Sequence, residues 1–245
     1  RPSLASAGKS VFSTVLGIAV AEGKIGSADD RVVDYYPEMM DVPDGAGPKP
    51  GRHACPKDRD ITFRQLISNT SGYLKPDEQP GRIFHYQTFG MNILCHAIAT
   101  RYGLYDSRDP QRLPGISALI EEKIARPIGA QWTYHTWNFD HPGGARTGIF
   151  GNYTSINSTA PDMARLGLLW LRRGRWGDRR IAPADWVDQA TRVAAPIREH
   201  ESPENQVYGL GFWTNETGRL WPNLPADSYA ARGAGRQLIW VCPSA

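Results

Sequence analysis

The chain has only three cysteines, Cys55, Cys95 and Cys242, in 245 residues, which is no basis for a disulfide framework. Cys95 lies in an apolar helical pattern and Cys242 in an apolar strand-like run, so both read as small core residues. His53 stands two residues before Cys55 in a loop rich in proline and glycine. Two nearby ligands without a second pair do not make a metal site, so none is expected. Long hydrophobic runs are also missing. The longest, Val11 to Val20 with interruptions, is far shorter than a membrane span. There is little excess charge: 28 Lys and Arg against 25 Asp and Glu leave a net +3, too mild to imply nucleic acid. The arginine-rich stretch at 172–180, RRGRWGDRR, reads as a solvated inter-helix turn. No internal repeat occurs. Asn-x-Ser/Thr matches at Asn69, Asn152, Asn157 and Asn215 read as chance ones unless the protein is secreted by a eukaryote. The chain starts at Arg1, not methionine, almost on its most informative segment. It reads as a trimmed piece of a longer chain, which leaves compartment and oligomeric state open.

What is present fits a folded domain. A hydrophobic content of 40% with 22% charged residues is ordinary for a globular protein, and the length allows a substantial core in one domain or two lobes. Residues 6–22 predict a first helix, and residues 41–60 an exposed loop rich in proline and glycine. In ITFRQLISNTSGY, Thr62 is a candidate N-cap, Phe63, Leu66 and Ile67 share a face, and Ser71-Gly72 ends the helix. Further helices are predicted in FGMNILCHAIATRYG, in ISALIEEKIARPIGA and, with an N-cap at Ser158 or Thr159, in STAPDMARLGLLWLRRG; one more starts at APADWVDQAT. The tail differs: YGLGFWTN and AARGAGRQLIWVCPS are strand-like. Helices are thus expected through the middle and strands at the end.

The first helix poses the chemical question. Val11, Phe12, Val15, Leu16, Ile18, Ala19 and Val20 cover most of its circumference, leaving Ser6, Lys9, Ser10 and Ser13 as a polar stripe. A helix apolar nearly all round belongs inside a protein, so Lys9 is expected to be at least partly buried. A cation at a helix N-terminus is also electrostatically misplaced by about 0.3–1 kcal/mol. Ser6-Ala7-Gly8-Lys9 fits Ser-x-x-Lys, whose i, i+3 spacing puts hydroxyl and amine on one face. Burial lowers a lysine pKa and yields an amine that accepts a proton. A serine hydroxyl becomes a nucleophile when a neighbour takes that proton, and free N–H groups at the helix start can hold an oxyanion. From these four residues alone a second reading is open: Ser6 caps the helix and Lys9 reaches out to water.

Several segments, in order, resemble one family. SAGKSVFSTVLGIAVAEGKI resembles a nucleophile helix and its exit, and FHYQTFGMNILCHAIATRYG a Tyr-x-Asn or Tyr-x-Ser motif with its helix. DITFRQLISNTSGY, IARPIGAQWT, STAPDMARLGLLWLRRGRW and ARGAGRQLIWVCPS supply four more matches at compatible spacing. Together they resemble the serine β-lactamase and penicillin-binding-protein group, in particular the branch of class C β-lactamases, family VIII carboxylesterases and 6-aminohexanoate-oligomer hydrolases. The resemblance implies an α+β fold of three α/β/α layers: an antiparallel sheet flanked by helices, plus a mostly helical lobe. Residues 1–245 are then a single catalytic domain, with 25–200 the helical lobe and 1–24 with 201–245 the sheet lobe. The family's first strands and closing segment are expected to be missing here.

The resemblance also implies roles. Ser6 attacks a carbonyl, while Lys9 and Tyr86 manage the proton, Tyr86 as tyrosinate or sharing a proton with the lysine. A nearby ammonium would favour the phenolate. His85 is a less favoured base. Ser6 and Ala231 N–H groups form the oxyanion hole, and Thr88, Tyr229, Arg232 and Gly233 bind substrate. Two departures stand out. Thr88 replaces the second motif's Asn, and no lysine occupies the third motif, placed near Ser228-Tyr229-Ala230, so efficient β-lactam hydrolysis is not expected. Arg232 stands nearby as a substitute cation. Ser155-Ile156-Asn157 imitates a Ser-x-Asn motif and is set aside as coincidence. The implied activity is hydrolysis of a small ester or linear amide through an acyl-enzyme, without metal or organic cofactor. The alternatives are a β-lactamase or D-Ala-D-Ala carboxypeptidase, an acyl-binding module without turnover, and an inactive fragment.

Overall fold

A computed structural model describes residues 1–140 and 148–245. The first α-helix, α1, runs Gly8–Ala21 and is preceded by a 3-10 turn at Ala5–Ala7. Every residue of α1 from Gly8 to Ala19 is buried, so the helix is a central rod of the core. Around it lie α2 (Phe63–Ile67), α3 (Phe89–Arg101), α4 (Ile116–Ile120, continued by one wide turn to Ala125), α5 (Ala160–Leu171), α6 (Ala184–Ala190) and α7 (Ala195–His200). The predicted helix signals act as written. Thr62 Oγ1 accepts the Gln65 N–H while Gln65 Oε1 accepts the Thr62 N–H, a reciprocal cap that starts α2. Thr159 Oγ1 accepts from Asp162 N–H at the start of α5.

The strands form three small antiparallel sheets among the described residues: β1 (Thr133–Trp137) with β2 (Tyr153–Asn157), β3 (Arg175–Trp176) with β4 (Arg179–Arg180), and β5 (Trp213–Thr214), β6 (Tyr229–Gly233) and β7 (Gln237–Val241) in that order. The strand-like tail is therefore observed. The middle is not wholly helical, because β1 and β2 lie there; the aromatic and β-branched residues of TYHTW and YTSIN are the available signal. The arginine-rich stretch forms the β3–β4 hairpin rather than a plain turn. Cys95 is buried as expected, whereas Cys242 is only partly covered.

Residues of β7 alternate across the sheet. Ile239 and Val241 face α5, where a Cβ on Gly167 would lie 3.1 Å from Ile239. Leu238 and Trp240 point the other way and remain 51% and 41% exposed. Helix α1 is tied to its neighbours by side chains of its polar stripe and beyond. Ser10 Oγ donates to the Gly211 carbonyl at 2.6 Å, and Trp170 Nε1 of α5 donates to Thr14 Oγ1 at 3.0 Å.

One contact sets how closely α6 approaches α1. A Cβ on Gly17 would lie 2.3 Å from the Trp186 ring. Gly17→Ala is therefore expected to cost about 1–3 kcal/mol by overpacking, although alanine is the better helix former. Urea unfolding measures it; an unchanged or raised midpoint would refute the contact.

Candidate active site

Ser6 sits in the 3-10 turn just before α1. Ala5 beside it has φ +47°, a left-handed conformation that costs a non-glycine residue about 1 kcal/mol or more. Such a turn must be held from outside, and β2 holds it. Leu4 N–H donates to the Ile156 carbonyl at 2.7 Å and Ser158 N–H to the Pro2 carbonyl at 3.0 Å. Ser3 Oγ lies 2.9 Å from Ser155 Oγ and accepts the Ala5 N–H at 3.0 Å. Ser6 is thus presented by a strap on β2 as much as by its helix.

Lys9 follows one turn later. Its Nζ donates to Ser6 Oγ at 3.0 Å, and the residue is 1% exposed. The reading in which Lys9 reaches out to water does not hold. Burial pulls its pKa from 10.5 to about 8, because an ammonium loses its hydration in the core. The amine lies 4.7 Å from the centre of the Tyr86 ring.

Tyr86 comes from a loop between α2 and α3, and Asn69 fixes it from both sides. The Asn69 carbonyl accepts the His85 N–H at 2.9 Å, and Asn69 Oδ1 accepts the Gln87 N–H at 3.0 Å. Asn69 is buried with φ +59°, a left-handed conformation asparagine tolerates better than most residues. In the sequence it stood out only as part of an Asn-x-Ser/Thr match, and nothing local marked it as a positioning residue. The Tyr86 ring stacks on Trp213 at 5.6 Å and meets Tyr208 edge-on at 5.7 Å. Burial raises its pKa, and the Ser6 hydroxyl and the Arg232 charge offset this only in part. The expected depression toward the phenolate is therefore corrected: desolvation outweighs the Ser6 hydroxyl and the Arg232 charge. Between the two proton carriers, the amine is the group that is more readily free of its proton near neutrality.

Ser6, Lys9 and Thr88 line a cavity of about 310 Å³ with Trp137, Phe139, Tyr153 and Ser155. Ser155, set aside in the sequence, belongs to this wall because β2 carries it there. A second cavity of about 570 Å³ is lined by Tyr86 and shares Thr88 and Phe139 with the first. The two are adjacent compartments that meet at these residues.

A sequence model for beta-lactamases matches residues 1–245. The chain belongs to the beta-lactamase family. A search of curated proteins finds no match. Solved structures resemble it throughout. A beta-lactamase from Mycobacterium bovis aligns with a TM-score of 0.64 at 20% identity, covering 99% of this chain and 75% of that one. A penicillin-binding protein homolog from Caulobacter crescentus gives 0.65 at 17%, covering 99% and 74%. A D-stereospecific amidohydrolase from Streptomyces gives 0.59 at 18%, covering 94% and 73%. At these identities the likeness is one of fold, a mixed α+β fold of the beta-lactamase and transpeptidase type.

Within this beta-lactamase fold, two expectations about the last strands need correction. Tyr229 lines neither compartment of the site. Its ring packs against Phe212 at 5.8 Å, and it borders a separate cavity of about 450 Å³ with Trp170 and Asp188. Ala231 is not a free donor either. The Ser228 carbonyl faces β5, where it accepts the Asn215 N–H. Amides alternate sides along a strand, so that of Ala231, opposite Ile239, faces β7. The amide of Arg232 faces the other way, where pairing with β5 has ended at Ala230. Gly233 touches the Ser6 turn most closely: a Cβ there would lie 2.1 Å from the Leu4 carbonyl oxygen and 3.1 Å from Ala7 N. The part of β6 that meets Ser6 is thus one or two residues later than the sequence suggested. Arg232 is exposed, with its guanidinium 5.1 Å from the Trp213 ring centre.

The buried amine leaves a signature in stability. The folded pKa of Lys9 lies below its unfolded value, so the unfolded chain binds the extra proton between about pH 8 and 10.5. Stability rises with pH across that window, and below it the full burden, about 3 kcal/mol, is present. Lys9→Met is expected to be more stable than the parent at pH 7, with the advantage shrinking toward pH 10. Denaturant melts at both values check this; no gain at pH 7, or a gain unchanged at pH 10, would place the amine in water.

Proposed function

We propose that the chain is a serine hydrolase that forms an acyl-enzyme on Ser6 and acts on a small carboxylic ester or a linear amide. The observation that carries this reading is the Lys9 amine, sealed in the core and 3.0 Å from Ser6 Oγ, with the Tyr86 ring against it. A hydroxyl, a depressed amine and a phenol in one pocket form a proton path from nucleophile to leaving group.

In this scheme the neutral Lys9 amine takes the proton of Ser6 as Oγ bonds to the carbonyl carbon. Ser6 N–H and the β6 amides flanking Gly233, those of Arg232 and Ala234, stabilise the oxyanion. Collapse breaks the bond to the leaving group, which takes a proton from the Tyr86 hydroxyl. The Lys9 ammonium returns one to Tyr86. Water then releases the acid by the same steps, with Lys9 as base. Thr88 borders the acyl position. No lysine stands in this part of β6, and the Arg232 guanidinium lies over the Trp213 ring, which favours esters and linear amides over β-lactams.

Ser6→Ala is expected to abolish both ester turnover and fluorophosphonate labelling; a retained label of the same mass would move the nucleophile elsewhere. Tyr86→Phe should lower kcat at least 100-fold, and a loss below fivefold would remove Tyr86 from the proton path. Nitrocefin turnover outrunning that of short p-nitrophenyl esters would favour a true β-lactamase.

Gly233→Ala tests the oxyanion site. The added methyl would strike the Leu4 carbonyl and push β6 off the Ser6 turn. A fall in kcat of about 10²-fold or more is expected, with thermal unfolding still cooperative. Full activity in this variant would exclude the strand as a donor.

A further inference from the structure

The larger compartment has a charge pattern that the proton chemistry does not use. Lys49, Arg52 and Lys75 line it, together with His85, Tyr86 and Thr88. One short turn presents two of the cations: Arg52 N–H donates to the Lys49 carbonyl at 3.1 Å. Gly47 lets that turn close, since a Cβ there would lie 1.6 Å from the Arg52 carbonyl oxygen. Among the described residues, neither Lys49 nor Arg52 has an ion-pair partner.

The acids nearby are already engaged. Asp140, the carboxylate lining this compartment, accepts the Gly148 N–H at 2.6 Å and the Phe150 N–H at 2.7 Å, one on each oxygen. Glu78 binds Lys75 at 2.5 Å and His85 at 3.0 Å through a single oxygen. Lys75 also contacts His85 Nδ1. Lys49 Nζ lies 5.9 Å from the centre of the Phe89 ring, and both cations line the same cavity, so an anion bound there meets two positive charges. Guanidinium and ammonium donors are suited to a carboxylate, the former through two parallel bonds.

We propose that Lys49 and Arg52, flanked by Lys75, form a subsite for a carboxylate group of the substrate, set apart from the scissile bond by the passage over Thr88 and Phe139. This rests on the hydrolase reading for the word substrate, and it names the class: esters or amides with an anionic end. The carboxylate can stand on the acyl chain or on the leaving group, and the test separates the two.

The acyl arm compares p-nitrophenyl valerate with the p-nitrophenyl monoester of glutaric acid. The leaving-group arm compares the butyrate esters of phenol and of 3-hydroxybenzoic acid. In one arm the charged member should show a KM at least tenfold lower, and the arm that responds gives the side. The double variant Lys49→Met, Arg52→Met should lose this preference, while neutral esters keep their kinetics within threefold. Added salt should erode the preference in the parent. Equal KM values in both arms, or a preference that survives the double variant, overturns the subsite. If no ester is turned over at all, the hydrolase reading fails on its own, and calorimetry with glutarate decides the subsite. Binding by the parent that weakens at least tenfold in the double variant supports it; equal or absent binding by the parent overturns it.

Discussion

An ammonium-forming side chain inside an apolar helix is the constraint around which this molecule is arranged. Lys9 is almost fully buried, and that burial disfavours its charged form. The helix that carries it is covered on all sides, Ser10 and Thr14 spend their hydroxyls on neighbouring elements, and aromatic rings close the remaining side. The same dryness that burdens the fold brings the amine's pKa close to physiological pH. Stability and reactivity oppose each other at this one nitrogen.

Three separate supports converge on that nitrogen's partners. The turn bearing Ser6 hangs from β2, the loop bearing Tyr86 is clamped by Asn69, and Gly233 lets β6 approach the turn. Each uses main-chain hydrogen bonds or a missing side chain, which are stiff and leave the Ser6, Lys9 and Tyr86 side chains unencumbered. Two of the supports involve non-glycine residues in left-handed conformations, Ala5 and Asn69. Local strain at such places is offset by the surrounding structure.

Much of this arrangement was legible in the sequence, for a physical reason in each case. The Ser6–Lys9 pairing follows from helical periodicity and from the apolar character of the residues around it. The caps at Thr62 and Thr159 are local chemistry, visible in four or five residues. What could not be read depends on contacts across long separations. Nothing near Asn69 announces that it will grip residues 85–87. Ser155 was dismissed because its motif resemblance ended before a helix, while its place beside Ser6 comes from strand pairing with residues 2–4. On β6, the resemblance implies an oxyanion donor at Ala231; only the ladder to β7 reveals which amides are spent. The rise in the Tyr86 pKa was missed for the same reason, since burial is a property of the whole packing. An isolated phenol beside an ammonium would shift the other way.

The strap from Pro2 to Leu4 gives the residues just before α1 an unusual status. A side chain anchored by its own helix tolerates changes in the segment before that helix. Here the Ser6 hydroxyl takes its station from two main-chain bonds and a serine pair lying ahead of it. A cut, a fusion or an affinity tag that loosens those residues would act on the alcohol itself, leaving the helix whole and its hydroxyl misaimed. The segment is one wall of the Ser6 cavity.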